Sequence, residues 1–157
     1  MDTTESVNEK KPWMIGEILL QKGWVKQHDL ETALSLQKAE DRPVLLGEIL
    51  VTHGIISQQV LYRALAIQFG KKFVDLSKVK IQPQMLQVVP KYFVLDHHLM
   101  PIGIRTDTML VAVTDPLDVW PLSQLERMAG VQEVEIVLAT HEDIEATIQR
   151  YYGKSET

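Results

Sequence analysis

MIGEILLQKGWVKQHDLETALSLQ, residues 14–37, is repeated as LLGEILVTHGIISQQVLYRALAIQ at residues 45–68. With residue 14 placed over residue 45, ten of the 24 paired positions are identical and no gap is needed. Six of the fourteen remaining pairs exchange one apolar residue for another. Self-similarity of this kind indicates duplication of one structural unit.

Each copy has the sequence pattern of a helical hairpin. Apolar residues at helical spacing begin each copy, and Gly23 and Gly54 end this first helix, because glycine readily takes the left-handed conformation that closes helices. A second helix with an apolar face follows, and Ser57 is placed to cap it in the second copy. Residues 38–44 (KAEDRPV) form a polar joint in which Pro43 breaks the helix.

Two features recur at equivalent positions of the copies: a glutamine that ends the second helix and a glycine inside the first helix. Gln37 and Gln68 end their helices, where an amide can pair with a base edge or a phosphate oxygen, or can simply be solvated. Gly16 and Gly47 lie inside short helices, at a cost of about 1 kcal/mol each relative to alanine. Such glycines indicate either close approach by a ligand or tight helix packing, and the sequence leaves both explanations open.

The repeat resembles the tandem motif of the MshEN-type N-terminal domain of type II secretion and type IV pilus assembly ATPases. The family pattern is roughly R-L-G-x-x-[LVI]-[LVI]-x-x-G-[LVI]-[LVI]-x4-L-x3-L-x2-Q, given twice with a short spacer. In that family each copy binds half of one cyclic di-GMP molecule, largely through apolar contacts. The resemblance covers about residues 13–153. With Arg42 and Asp115 added as candidates, the ligand-binding residues that it implies are Met14, Ile15, Gly16, Leu19, Leu20, Gly23, Trp24, Val25, Leu34, Gln37, Arg42, Leu45, Leu46, Gly47, Leu50, Val51, Gly54, Ile55, Ile56, Leu65, Gln68 and Asp115.

The chain departs from the motif where the family has its leading arginine, which is Met14 in the first copy and Leu45 in the second. An arginine suits both phosphate and guanine edges, so its loss weakens the case for a nucleotide. Arg42, three residues before Leu45, can replace one of them by a shift of register. Trp24 is expected to fill the core rather than stack on a purine, and Asp115 is expected to form an Asp-Pro turn more readily than a ligand contact.

Residues 71–153 lack the repeat and predict a small α+β subdomain. KKFVDL (71–76) has the composition of a short strand, and Thr140 is placed to cap the last helix. We therefore expect an α+β fold in which four helices of tandem hairpins pack on that subdomain. The expected strands are 99–105, 108–114 and 134–139, and the expected helices are 83–89, 91–97, 120–128 and 141–152. The expected organisation is a disordered segment at 1–12, a helical subdomain at 13–70, the α+β subdomain at 71–153 and a polar tail at 154–157.

Composition argues against several other classes of protein. The net charge of -5 disfavours a nonspecific nucleic-acid binder, which needs a basic surface. The second helix of each copy also carries too few basic side chains to recognise DNA. The absence of cysteine excludes disulfides and thiolate zinc sites. No apolar run is long enough to span a membrane, and the polar start is not a secretory signal, so a cytoplasmic protein is expected.

Catalysis and metal binding are not expected either. No Walker A pattern occurs in the sequence, and no catalytic set can be selected by spacing. The five histidines are scattered, without the spacing that places two ligands on one helix face; they are His28, His53, His97, His98 and His141.

The resemblance implies a regulatory domain that binds cyclic di-GMP and passes the signal to a secretion, pilus or motility partner. The alternative is a protein-docking module of the same type that no longer binds nucleotide, because both motif arginines are replaced. If the chain is a whole protein, the domain acts as a free-standing regulator or adaptor. If it is part of a longer one, an ATPase is expected to follow.

Overall fold

The computed structural model describes residues 14–153, so the segment expected to be disordered (1–12) and the polar tail (154–157) lie outside the described residues. The chain divides into two compact units between Gly70 and Lys71. None of the helices within the described range is long and apolar enough to cross a membrane.

The first unit is a set of four helices, two from each copy of the repeat. They are α1 (Ile15–Gln21), α2 (Gln27–Ala39), α3 (Leu46–Thr52) and α4 (Gln58–Gln68). The most extensive helix packing runs between the copies, α1 with α4 and α2 with α3, and this pattern is unchanged when the copies are exchanged. Equivalent apolar residues meet in one core, whose buried members are Ile18, Leu19, Val25, Leu30, Ala33, Val44, Ile49, Leu50, Ile56 and Ala64.

The turns inside the two copies have the same backbone geometry. Gly23 and Gly54 take φ angles of 75° and 73°, which residues with a side chain adopt only with strain. The N–H groups of Trp24 and Ile55 each donate at 2.9 Å to the carbonyl five positions earlier, which closes the preceding helix. The predicted cap is confirmed, because Ser57 Oγ accepts a hydrogen bond at 3.1 Å from the N–H of Val60.

The second unit is a three-stranded sheet with helices, which confirms the α+β class. The elements in chain order are α5 (Met85–Val88), α6 (Lys91–His97), β1 (Leu99–Arg105), β2 (Thr108–Val113), α7 (Leu122–Ala129), β3 (Glu133–Leu138) and α8 (His141–Tyr152). Strands β1 and β2 are antiparallel, and β2 and β3 are parallel, in the order β1-β2-β3. The strand expected at 71–76 was wrong in extent: Phe73 makes a single bridge to Leu138, and a 3₁₀ turn follows at Leu76–Lys78.

Both ends of α8 are held by side-chain hydrogen bonds. At its start, Thr140 Oγ1 accepts from the N–H of Asp143 at 3.0 Å, which confirms the predicted cap. At its end, the buried hydroxyl of Tyr152 donates to the carbonyl of Val89 at 2.8 Å and lies 3.3 Å from that of Met85. Burial raises the pKa of Tyr152 to about 12. The hydroxyl therefore ties α8 to α5.

Candidate ligand-binding surface

The two copies of the repeat present apolar and amide side chains at equivalent positions with similar exposure. Among the predicted ligand residues, six equivalent pairs have side chains that are exposed or half-buried, and we call these six pairs the twin surface. The pairs are Met14/Leu45, Ile15/Leu46, Leu20/Val51, Trp24/Ile55, Leu34/Leu65 and Gln37/Gln68. Five of these pairs match in burial class, and only Leu34 is more exposed than its counterpart. A duplicated sequence has thus folded into duplicated local structure.

Several residues that the family resemblance assigns to the ligand form the core beneath the twin surface. Leu19 and Leu50 have no exposed surface, and Val25 and Ile56 are 7% exposed. Such side chains offer a ligand nothing to contact in this structure, so their predicted role in binding stays a prediction. Trp24 is half-buried and packs against the same core, as expected.

The glycines inside the short helices are accounted for by helix packing. A Cβ atom added at Gly16 would lie 3.3 Å from Cδ1 of Leu30, and one added at Gly47 would lie 2.6 Å from Cδ1 of Leu61. In both copies the glycine therefore lets the first helix approach the second helix of the same hairpin. Of the two explanations that the sequence left open, the structure supports tight packing.

The starts of α1 and α3 are neighbours. A Cβ atom at Gly16 would be 3.5 Å from Cδ2 of Leu46, which places the first turns of the two helices side by side. Met14 and Leu45, where the motif has arginine, immediately precede these turns and are 68% and 77% exposed. Arg42 is exposed in the joint between the copies. The arginine positions of the motif are thus accessible to solvent, but they carry apolar side chains.

The amide of Gln37 already has a structural partner. Its Nε2 donates to the carbonyl of Val44 at 2.6 Å and so fastens the joint between the copies to the end of α2. One of the two amide hydrogens is committed to this bond. Gln37 is therefore not freely solvated, and part of its hydrogen-bonding capacity is already used within the fold. Its counterpart Gln68 is half-buried at the end of α4.

Asp115 belongs to the second unit and forms a turn. Its Oδ1 accepts from the N–H of Leu117 at 3.0 Å, and its carbonyl accepts from the N–H of Asp118 at 3.2 Å. These bonds are typical of an Asp-Pro turn, the alternative that the sequence favoured. The exposed side chain also lines a cavity of about 190 Å³, so its contact with a ligand stays a prediction.

The structure brings together two histidines that sequence spacing did not connect. His98, which directly follows α6, stacks on His141, the first residue of α8, with ring centroids 4.1 Å apart. Burial lowers the pKa of His98, the charge of a protonated His141 lowers it further, and the Glu145 carboxylate raises it. Because the two residues lie on different elements, no local spacing rule identifies the pair.

Comparison with known proteins gives matches among both solved structures and curated proteins. The solved structure of MshE with cdg is 28% identical, has a TM-score of 0.68 and matches 89% of this chain and 99% of its own. The N-terminal domain of XpsE is 22% identical with a TM-score of 0.56, over 88% of this chain and 94% of its own, and supports the fold alone.

Among curated proteins, the type IV pilus assembly ATPase PilB of Myxococcus xanthus (strain DK1622) is 26% identical over 87 residues. This match covers 55% of the present chain but only 15% of PilB, so the chain corresponds to a small part of that protein. The family model for the MshEN domain matches residues 69–157, which is the second unit rather than the repeat that first suggested the resemblance. Since this match covers more than half of the 157 residues, the chain belongs to the MshEN domain family.

Proposed function

We propose that this chain is a non-catalytic regulatory domain that binds cyclic di-GMP on the twin surface and passes the signal to a secretion, pilus or motility partner. The observation that carries the proposal is the agreement of the two copies in the exposure of the twin surface, where five of the six pairs match. Cyclic di-GMP consists of two identical halves, which fit two equivalent surfaces. The similarity to MshE, solved with cdg, an abbreviation of cyclic di-GMP, supports this choice of ligand.

Apolar contact is the binding mode that the twin surface favours. Its members are mainly aliphatic, and the half-buried ring of Trp24 adds an aromatic edge in one copy. Guanine bases have flat apolar faces that pack on such side chains, and burying apolar area contributes roughly 25 cal/mol per Å². Binding then shifts the population of the conformations that differ in affinity for the protein partner.

Titration calorimetry with cyclic di-GMP, cyclic di-AMP, cyclic GMP-AMP and ATP tests the proposal. We expect one cyclic di-GMP per chain and no heat from ATP. Leu34→Gln should weaken binding, because it places an amide on the exposed apolar part of α2. Thr32→Ala is the matched control, since Thr32 is exposed on the same helix but lies about 200° around it from Leu34.

Two outcomes would contradict the proposal. Absence of heat from all four ligands would exclude a nucleotide sensor. Equal weakening by the Leu34 and Thr32 variants would mean that the ligand does not contact the twin surface. Circular dichroism of both variants establishes that neither result arises from loss of helix.

A docking module is the second candidate, and the exposure of Met14 and Leu45 favours it. Where the family motif has cations, this chain presents two long apolar side chains, each more than two-thirds exposed. Apolar patches of this kind are typical of protein contact surfaces. If no nucleotide binds but Leu45→Glu abolishes capture of a pilus or secretion partner, docking replaces sensing as the function.

A further inference from the structure

Three potential metal ligands converge in the second unit. They are His98, His141 and Glu145, and one nitrogen or oxygen of each lies within 4.8 Å of the others. Nδ1 of His98 is 3.6 Å from Oε2 of Glu145. His141 and Glu145 are one turn apart on α8, a spacing that places two side chains on the same face of a helix.

The imidazole of His98 lacks the hydrogen bonds expected of a buried polar group. Its Nε2 is buried and has no partner among residues 14–153, and the 3.6 Å separation of Nδ1 from Glu145 is too long for a hydrogen bond. The lone pairs of Nδ1 and Nε2 point in different directions, so an ion shared with Glu145 would bind Nδ1, whose nearest carboxylate is too far away for a hydrogen bond that the ion would have to displace.

The backbone of His98 is held in an unfavourable conformation. Its φ and ψ angles are 53° and 58°, in the left-handed region, which is unfavourable for a residue with a side chain. Glycine would take this position at the end of α6 without that cost. The conformation carries the imidazole of residue 98 to the first turn of α8, where the other two groups lie.

The charge around the three groups suits a cation. The first five residues of α8 contain three carboxylates, those of Glu142, Asp143 and Glu145. Glu145 is exposed and His141 is exposed, so both side chains can adjust their rotamers to a bound ion. The rings of His98 and His141 are stacked with an angle of 16° between their planes. Their in-plane nitrogen lone pairs therefore do not point toward one common position, and a side chain must change rotamer before both can bind one ion.

We propose that His98, His141 and Glu145 bind one divalent transition-metal ion. Two imidazole nitrogens and one carboxylate oxygen are a ligand set that suits Zn²⁺, which takes four ligands in a tetrahedral arrangement. Three protein ligands leave the fourth position to water. The ion would join the end of α6 to the start of α8 and so stabilise the second unit, independently of any nucleotide on the first.

Calorimetric titration of the tag-free 157-residue chain with ZnCl₂ tests this site, after treatment with a chelator. We expect one Zn²⁺ per chain. His98→Asn, His141→Gln and Glu145→Gln should each weaken binding about tenfold or more, since even the outer partners of metal ligands matter by that factor. Asparagine is chosen at residue 98 because it tolerates the left-handed backbone. His53→Asn, an exposed histidine of the first unit, is the matched control and should bind as the unchanged chain does.

Imidazole ¹⁵N spectra of the unchanged chain provide a measurement that needs no substitution. Zn²⁺ should shift the resonances of His98 and His141 and leave those of His28, His53 and His97 in place. The proposal is overturned if the chain binds no Zn²⁺, if the three ligand variants bind as tightly as the control, or if the shifts fall on the other histidines.

Discussion

Replacing Leu45 by arginine examines the twin surface where this chain departs from the family motif. Leu45 precedes α3 and is 77% exposed, so about a quarter of its surface is buried. Because complete burial of a leucine side chain is worth about 1.5–3 kcal/mol, the substitution should cost less than about 1 kcal/mol of folding stability. A change in affinity in this variant therefore reports on the ligand rather than on the fold.

The expected gain in affinity follows from the geometry of the guanidinium group. Cyclic di-GMP carries two phosphates, and arginine can donate two parallel hydrogen bonds to a phosphate or to a guanine edge. One such bidentate contact is worth about 1–3 kcal/mol, which corresponds to binding about 5 to 150 times tighter. Calorimetric titration of both chains at the same ionic strength measures the ratio, and Met14→Arg should give a similar gain.

A series at residue 45 separates geometry from charge. Leu45→Lys adds the charge without the planar fork and should tighten binding less than Leu45→Arg does. Leu45→Glu should weaken binding by repelling the phosphates. Affinities that are the same for arginine, leucine and glutamate would refute the reasoning, because residue 45 would then lie outside the reach of either phosphate.

The remaining predictions concern the stability of the two units, measured as the free energy of unfolding in denaturant. Tyr152→Phe should cost about 1–3 kcal/mol, because the carbonyl of Val89 loses a buried donor at 2.8 Å; an unchanged midpoint would contradict this. Burial raises the pKa of Tyr152 from 10.0 to about 12. The contribution of its hydroxyl to the free energy of unfolding should therefore be complete below pH 10 and decline as the pH rises toward 12. The Tyr152→Phe variant should not show this decline. Gly47→Ala should keep little of the gain in helix propensity of about 1 kcal/mol, since the new Cβ would be 2.6 Å from Cδ1 of Leu61 and that side chain would have to shift. Gly16→Ala, with a nearest atom at 3.3 Å, should keep more of it, and equal effects would contradict the packing explanation.

Local features of the fold were predictable, because each depends on a few neighbouring residues. The strand at 99–105 and the helix at 141–152 have the predicted bounds, since a continuous apolar run and a threonine cap are contained in the sequence window itself. The strand expected at 71–76 was wrong in extent because its prediction also rested on local sequence alone. Its local composition fits a strand, but only Phe73 meets a partner, at Leu138 of β3.

Contacts between distant segments were not predictable from one sequence. Nothing near His98 or His141 indicates that the two rings stack, because their contact depends on how the end of α6 meets the start of α8. The bond from Gln37 to the carbonyl of Val44 is another example, since it requires the joint to fold back along α2. The candidate ligand residues recur at equivalent positions of the two copies, but their division into core and surface needed the structure, and their role in binding stays a prediction.

The duplication alone is a weaker argument for a symmetric ligand than it first appears. Many of the identical pairs are buried, among them Leu19 with Leu50 and Ala33 with Ala64, and four helices that pack through equivalent contacts require such identities whether or not anything binds. Evidence for a ligand must therefore come from exposed positions. There the chain presents apolar side chains at Met14 and Leu45, so affinity for a doubly charged nucleotide has to arise mainly from contacts with the bases. Such binding should depend little on salt, because few cations are paired with phosphate, whereas Leu45→Arg should introduce a salt dependence that the unchanged chain lacks.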